Sequence, residues 1–321
     1  MKILFFKIGA LGDTLMTTPL VRQIRKNFAN VKIDYLIGKK SSQILEGNKN
    51  IDNIIKFDEN IFFKKKFFSY FKLISKIRKK KYDIIFVLDK HKIFNLTSKL
   101  SGIKQRIGFD RLGKEGIFLT NKVYYGSLKH EIDYYLSLGS KIMKVNYTDK
   151  KLDFFLEGNE LKNIKLPRNF IVLINAGGNN IGEKTNIRSL PDKLFSDIVD
   201  KITKKQKVIF LGSKSERKYY EKFSSDKIVN LAGKLSLKQS AAVLKKAKKV
   251  ITTDSGLMHV ASATNNNLVC IFGPTNPKRK APFNAKTIWK DKNSYDEKYE
   301  LLGKVPKSNF FKNENEIIKD I

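Results

Sequence analysis

The sequence predicts an α/β protein made of two successive domains, each an open, doubly wound parallel sheet covered by helices on both faces. Three observations carry this. The strand candidates are short continuous apolar runs, such as 3–8, 82–88, 170–174 and 268–272, rather than alternating apolar and polar positions. A strand buried on both faces has that pattern. The runs alternate with segments of helical periodicity, the order of a parallel sheet with crossover helices. The alternation restarts after a polar stretch at 146–169, and 321 residues suffice for two cores.

In the first half, residues 3–8 form a strand and 9–13 a tight turn. Residues 14–28 carry a helical stripe (Leu15, Leu20, Val21, Ile24, Phe28), with Pro19 as a kink or local restart. A strand at 31–37, a short helix at 41–46 and a strand at 51–57 follow. A basic helix at 67–80 leads to the buried strand 82–88, a helix at 93–100, a strand at 105–109 and a helix at 130–143. In the second half, strands are expected at 170–174, 208–211, 228–231, 250–253, 268–272 and 287–289. Helices are expected at 191–204, with Pro191 near the first turn, at 216–223, from a Ser236 cap to 248, and at 257–263. The domains are placed at 1–155 and 165–305, and the tail 306–321 as a helix packing back on the first domain.

Composition narrows the function classes. With 41% hydrophobic residues the chain is globular. The single cysteine, Cys270, sits inside an apolar run and reads as a small buried hydrophobe, consistent with a reducing compartment. Lys7 interrupts the first apolar run, which reads as a strand rather than a signal peptide. No segment has the roughly 18 uninterrupted apolar residues of a membrane span, so a cytoplasmic protein, soluble or peripheral, is expected. The net charge of +33 admits nucleic acid, an anionic membrane surface or a phosphorylated substrate as partner. Lysine is spread along the whole chain, so most of that charge reads as compositional bias. The densest runs, 64–66 and 78–81, flank Phe62, Phe63, Phe67, Phe68 and Phe71. That pattern suits a membrane-surface helix or a solvated helix over a core stripe.

Two turns carry chemistry. Residues 250–263 read as strand, turn and helix, with Asp254-Ser255-Gly256 at the junction and His259 just inside the helix. Backbone N–H groups left open at such a helix start are an anion site. Gly9-Ala-Leu-Gly-Asp13 is neither the dinucleotide fingerprint nor a Walker A loop. Taken alone, Asp13 reads as an N-cap. No Asp-x-Asp triplet is present, and three histidines and one cysteine form no metal-ligand pattern, so neither metal nor cofactor is expected.

Asp254-Ser-Gly-Leu-Met-His259, the strand behind it and Phe272-Gly-Pro-Thr-Asn-Pro277 together resemble the nucleotide-sugar site of glycosyltransferase family 9, the heptosyltransferases. Gly9 to Leu20 resembles that family's first loop. Asn175-Ala-Gly-Gly-Asn-Asn180 with Arg188-Ser-Leu-Pro191, Leu211 to Glu216, and Asn230 to Leu237 fit it as well. The resemblance spans residues 1 to about 290 and is weakest at 40–125. It implies a GT-B fold, two Rossmann-like domains facing a central cleft, and an inverting, metal-independent transferase. It makes Asp13 the general base, with Gly9, Gly12 and Thr14 in the acceptor-side loop. It assigns the donor to Gly177, Gly178, Arg188 (or Lys184), Ser213, Glu216, Met258, Asp254, Ser255, Gly256 and His259. The partners it implies are an ADP-heptose-like nucleotide sugar and an anionic lipopolysaccharide or lipooligosaccharide core glycolipid. The enzyme is expected to be a monomer in peripheral contact with the inner membrane, without nucleic acid. The alternatives are a GT-B-fold nucleotide-sugar epimerase or hydrolase and, from charge alone, a basic nucleic-acid-binding protein.

Overall fold

The computed structural model describes residues 1–64, 66–177, 187–306 and 309–321. The chain divides into two compact units, Met1–Phe155 and Leu156–Ile321. Among the described residues the first unit has strands β1 (Lys2–Lys7), β2 (Lys32–Gly38), β3 (Asn53–Phe57), β4 (Ile84–Val87), β5 (Gln105–Arg111) and β6 (Asn121–Tyr125). They form one parallel sheet in the order β3-β2-β1-β4-β5-β6. The second unit has β7 (Phe170–Ile174), β8 (Lys207–Phe210), β9 (Ile228–Asn230), β10 (Lys249–Thr253), β11 (Leu268–Phe272) and β12 (Ala285–Trp289). These are also parallel, in the order β12-β11-β10-β7-β8-β9, which is the first unit's topology read from its other edge.

In both sheets the chain reverses its direction of winding between the first and fourth strands. Phe6 of β1 lies beside Val87 of β4, and Ile174 of β7 beside Thr252 of β10. Open α/β sheets bind ligands at this point, beyond the carboxyl ends of the strands.

The strands are continuous apolar runs because both faces are covered. On one face of the first sheet, Phe5 stacks between Tyr35 and Phe86, with ring centroids 5.7 and 5.0 Å away. On the other, Leu4, Phe6, Leu36, Ile85 and Val87 pack with Leu73, Ile77 and Phe94 from helices Phe67–Lys79 and Lys92–Leu100. In the second unit Leu173, Val208, Phe210 and Ile251 pack with Leu194, Phe195 and Ile198 of helix Asp192–Thr203. Each such fully buried side chain stabilises the fold by roughly 1.5–3 kcal/mol.

Several expectations are refined. The helix expected over 14–28 is two, Leu11–Leu15 and Thr18–Asn27. Pro19 stands in the first turn of the second, where its missing N–H removes no helical bond. β6 was not anticipated, because its side chains are half-exposed or exposed up to Tyr125 and give no apolar run. The terminal helix Glu314–Asp320, expected to return to the first domain, packs on the second unit. Ile317 and Phe311 belong to that unit's core, and Lys201 Nζ donates to the Ile318 carbonyl at 2.5 Å. Gly273 makes this docking possible: a Cβ there would lie 2.5 Å from the Phe311 ring. No helix among the described residues is long and apolar enough to cross a membrane.

Candidate active site

In the first unit, charge joins the reversal-point strands. Lys7, at the end of β1 and 2% exposed, pairs with Asp89 Oδ1 at 2.9 Å just past β4. The other Asp89 oxygen accepts from the Ile8 N–H at 2.6 Å. Gly9 then turns the chain beneath the helical turn Lys39–Leu45, where a Cβ would come within 2.9 Å of Ser41 Oγ. Ala10, not Asp13, is the N-cap of helix Leu11–Leu15, and it makes no side-chain capping bond. Asp13 lies half-buried in that helix's first turn, so the capping role that its residue type suggests does not apply. Gly12 is buried, and the wholly buried Thr14 hydroxyl has no hydrogen-bond partner among the described residues.

Other charges gather near Asp13. Glu131, 1% exposed, bonds Lys90 at 2.8 Å and accepts from the Tyr125 hydroxyl. The Lys90 ammonium lies 4.4 Å above the Tyr125 ring centroid and 5.9 Å from that of Tyr135. Burial pushes the Tyr135 hydroxyl well above the usual tyrosine range, and the negative charges of Asp13, Glu131 and Asp89 push it further. Three carboxylates and two ammonium groups thus surround one buried ring. Sequence reasoning missed Lys7, Asp89, Lys90, Glu131 and Tyr135. Asp89 and Lys90 had a readable signal, since they directly follow a buried strand. His91 and His130 are helix N-caps whose Nδ1 atoms accept from Ile93 and Ile132 N–H, each at 3.2 Å.

In the second unit, neutral hydrogen bonds join the corresponding strands. Thr253 Oγ1 donates to the Ala176 carbonyl at 2.7 Å and accepts from its N–H at 3.0 Å. Asn175 brackets the returning chain, with its amide oxygen accepting from Leu190 N–H at 2.7 Å and its amide nitrogen donating to Leu190 O at 3.2 Å. This fixes Arg188, 6% exposed, whose Nη1 lies 3.5 Å from Asp254 Oδ2. Asp254 is itself 3% exposed. Burial alone would raise its pKa, but the charges of Arg188, Lys280 and His259 outweigh burial and hold it below the ordinary 3.8.

Ser255 is the N-cap of helix Gly256–Thr264 yet makes no side-chain cap bond, and its buried Oγ has no partner among the described residues. The first N–H groups of this nine-residue helix are therefore uncapped beside a buried guanidinium. That arrangement binds anions. His259 is buried in the same turn region.

The other assignments divide. Ser213 and Glu216 form a capping box on helix Lys214–Tyr220, with the Glu216 carboxylate accepting from Ser213 N–H at 2.7 Å. Ser215, Glu216, Asn175 and Ser189 line a cavity of about 710 Å³ that ends against Phe310 and Phe311. Met258 is completely buried. It packs among the core side chains at the start of helix Gly256–Thr264. Gly177 is buried at the start of its loop, and Gly178 and Lys184 lie outside the described residues. Arg279 was missed: it is fully buried, 3.8 Å from the Glu300 carboxylate. Burial raises the Glu300 pKa. Cys270 is buried and its thiol pKa is pushed up by burial, as its apolar run implies. Among the described residues no group of three or more His, Cys, Asp or Glu side chains is placed to hold a metal ion.

The chain is similar to several known proteins. The lipopolysaccharide core heptosyltransferase OpsX of Haemophilus influenzae is 23% identical over 305 residues, covering 87% of this chain and 80% of that protein. The structure of E. coli ADP-heptose lps heptosyltransferase II superposes with a TM-score of 0.76 at 21% identity, covering 100% of this chain and 97% of that one. E. coli heptosyltransferase WaaC with ADP gives 0.73 at 17% identity, covering 90% and 93%. These likenesses show the GT-B fold. The family model of glycosyltransferase family 9 (heptosyltransferase) matches residues 70–300, most of the chain. With two parallel sheets of one strand order and that match, the chain belongs to glycosyltransferase family 9 and is a glycosyltransferase.

Proposed function

We propose that the protein transfers a heptose, with inversion, from an ADP-heptose-like donor to a lipopolysaccharide or lipooligosaccharide core acceptor. The observation that carries this reading is the uncapped helix Gly256–Thr264 beside the buried Arg188–Asp254 pair. Those N–H groups and that guanidinium suit a diphosphate, the group that gathers charge as the sugar leaves it. Asp254 holds the guanidinium in place, and Ser255 Oγ is an available hydrogen-bonding group beside it.

In this reading Asp13 is the general base. It takes the proton of an acceptor hydroxyl while that oxygen attacks the anomeric carbon from the face opposite the diphosphate. The anomeric C–O bond to phosphate breaks, and ADP leaves with the electron pair. Lys7, Asp89, Lys90 and Glu131, gathered with Asp13 around Tyr135, set the field in which it works. The names of the relatives support the donor and acceptor classes, since one is a core heptosyltransferase and another is named for ADP-heptose. An enzyme with that acceptor acts at the cytoplasmic face of the inner membrane.

The test is transfer from ADP-heptose to core acceptors in EDTA, with ADP binding followed by thermal shift. ADP release that requires acceptor, and a melting-temperature rise with ADP, is the expected result. Full-rate donor consumption without acceptor would overturn transfer in favour of hydrolysis or epimerisation. A shift with UDP or GDP instead of ADP would keep the reaction class and change the sugar.

A further inference from the structure

One aromatic surface of the first unit has no part in the site above. Helix Phe67–Lys79 buries Leu73, Ile74 and Ile77 and holds Tyr70 half-buried. These positions form its inward stripe at helical spacing. Phe67, Phe68 and Phe71, at i, i+1 and i+4, lie outside that stripe and are 65%, 95% and 59% exposed. Phe63, at the end of the preceding helical turn Asn60–Phe63, is 51% exposed. Four phenylalanines this exposed within nine residues are unusual on a water-facing surface.

The charge around them has one sign. Residues 60–82 contain nine lysines and arginines and no aspartate or glutamate. Lys66 pairs with Asp58 at 3.0 Å, whereas Lys64, Lys72, Lys76, Lys79 and Lys80 make no ion pair among the described residues. On the helix, Lys72, Lys76 and Lys79 (i, i+4, i+7) form a row flanking the aromatic arc.

We infer that the arc of Phe63, Phe67, Phe68 and Phe71, with its flanking lysines, docks on an anionic lipid surface. The rings enter the interfacial region and the ammonium groups meet lipid phosphates. A nucleic-acid strand would use the lysines, but it would leave at least the outermost ring, Phe68, without a reason to be so exposed. A solvated basic face would carry no such rings. This inference stands apart from the transfer reaction, because lipid binding is measured with neither donor nor acceptor present.

The experiment is co-sedimentation of the full chain with vesicles of phosphatidylcholine alone and of phosphatidylcholine mixed with phosphatidylglycerol. Partition to the mixed vesicles alone, weakened by high salt, is expected. The variant Phe67→Ser/Phe68→Ser/Phe71→Ser is expected to bind them about tenfold or more weakly. Lys72→Glu/Lys76→Glu/Lys79→Glu is expected to do likewise. Phe283→Ser, at a 58% exposed ring of the second unit, is the control expected to bind normally. All these side chains are largely solvent-facing, so circular dichroism should report unchanged folding. Phe68→Trp should show a blue-shifted emission with the mixed vesicles only. Equal binding by the Phe variant and the wild-type chain, or equal loss in the Phe283→Ser control, would overturn the inference. So would the absence of any partition, or tight RNA binding that depends on the lysines while vesicle binding does not.

Discussion

The two units share one strand order and use its reversal point in opposite electrical senses. In the first, the ends of β1 and β4 are joined by the Lys7–Asp89 ion pair, and Asp13, Asp89 and Glu131 gather around Tyr135. In the second, the ends of β7 and β10 are joined by the neutral bonds of Thr253 Oγ1 to the Ala176 backbone. The charge there centres on the buried pair of Arg188 with Asp254, with Lys280 and His259 acting on the same carboxylate. The helices that follow differ in the same way: Leu11–Leu15 has five residues and presents a carboxylate in its first turn, whereas Gly256–Thr264 has nine and presents open N–H groups. A five-residue helix has little dipole to offer, so a side chain must supply the chemistry; a longer one offers its backbone. Topology chooses the place, and local sequence chooses whether that place suits a proton or an anion.

Substitutions can break this contrast. The largest effect is expected from Asp13→Asn, which should lower kcat by about 10²- to 10⁴-fold. The ADP-induced thermal shift should stay as in the parent. A loss of ADP binding with it would mean that the two sites are not separable in this way.

Arg188→Ala is expected to do the converse, weakening ADP binding and destabilising the fold by about 3 kcal/mol, since Asp254 would be left buried without the guanidinium beside it. The midpoint of urea unfolding reads this. The pH dependence has a definite sign. Asp254 is held below the ordinary 3.8, so its stabilising contribution is fully present above about pH 4 and is lost as pH falls through the folded value. Asp254→Asn should lower stability at neutral pH and flatten that acid limb. An unchanged acid limb would show that other carboxylates dominate it.

A smaller effect is expected from Lys90→Ala. It removes the ammonium from a buried carboxylate, but Lys90 keeps some solvent contact, so about 2 kcal/mol of destabilisation is expected rather than the ~3–5 of a fully buried pair. If the cluster positions Asp13, kcat should fall with it and KM for the donor should not. A lower kcat that tracks only the unfolded fraction would make the cluster purely structural. Smallest is Ser255→Ala. Its hydroxyl has no partner among the described residues, so stability should change by less than about 0.5 kcal/mol. ADP affinity should still drop about tenfold, the value of one hydrogen bond to a charged group. Unchanged affinity would remove Ser255 from the donor site.

Much of the architecture was legible. Continuous apolar runs such as Ile3 to Phe6 and Leu268 to Phe272 are buried throughout, as runs covered on both faces must be. The strand-turn-helix at Lys249–Thr264 was visible because it is local: one apolar run, one small-residue turn and one helical period. Arg188 stood out through its distance from Pro191, and the structure carries it to Asp254, 66 residues away.

What remained hidden was non-local. Lys90 and Glu131 are 41 residues apart, and Lys7 and Asp89 are 82 apart. They meet only because β1, β4, β5 and β6 are neighbours in the sheet, a consequence of strand order rather than of any local period. Arg279, one of three successive cations, is fully buried against Glu300, 21 residues further along the chain. The sequence by itself determined where the chain makes strands, where it breaks them and which turns carry polar groups, because propensity and period act over a few residues. Only the tertiary structure decided which charges lose their water and which partners they find, because burial and pairing depend on what the folded sheets bring alongside.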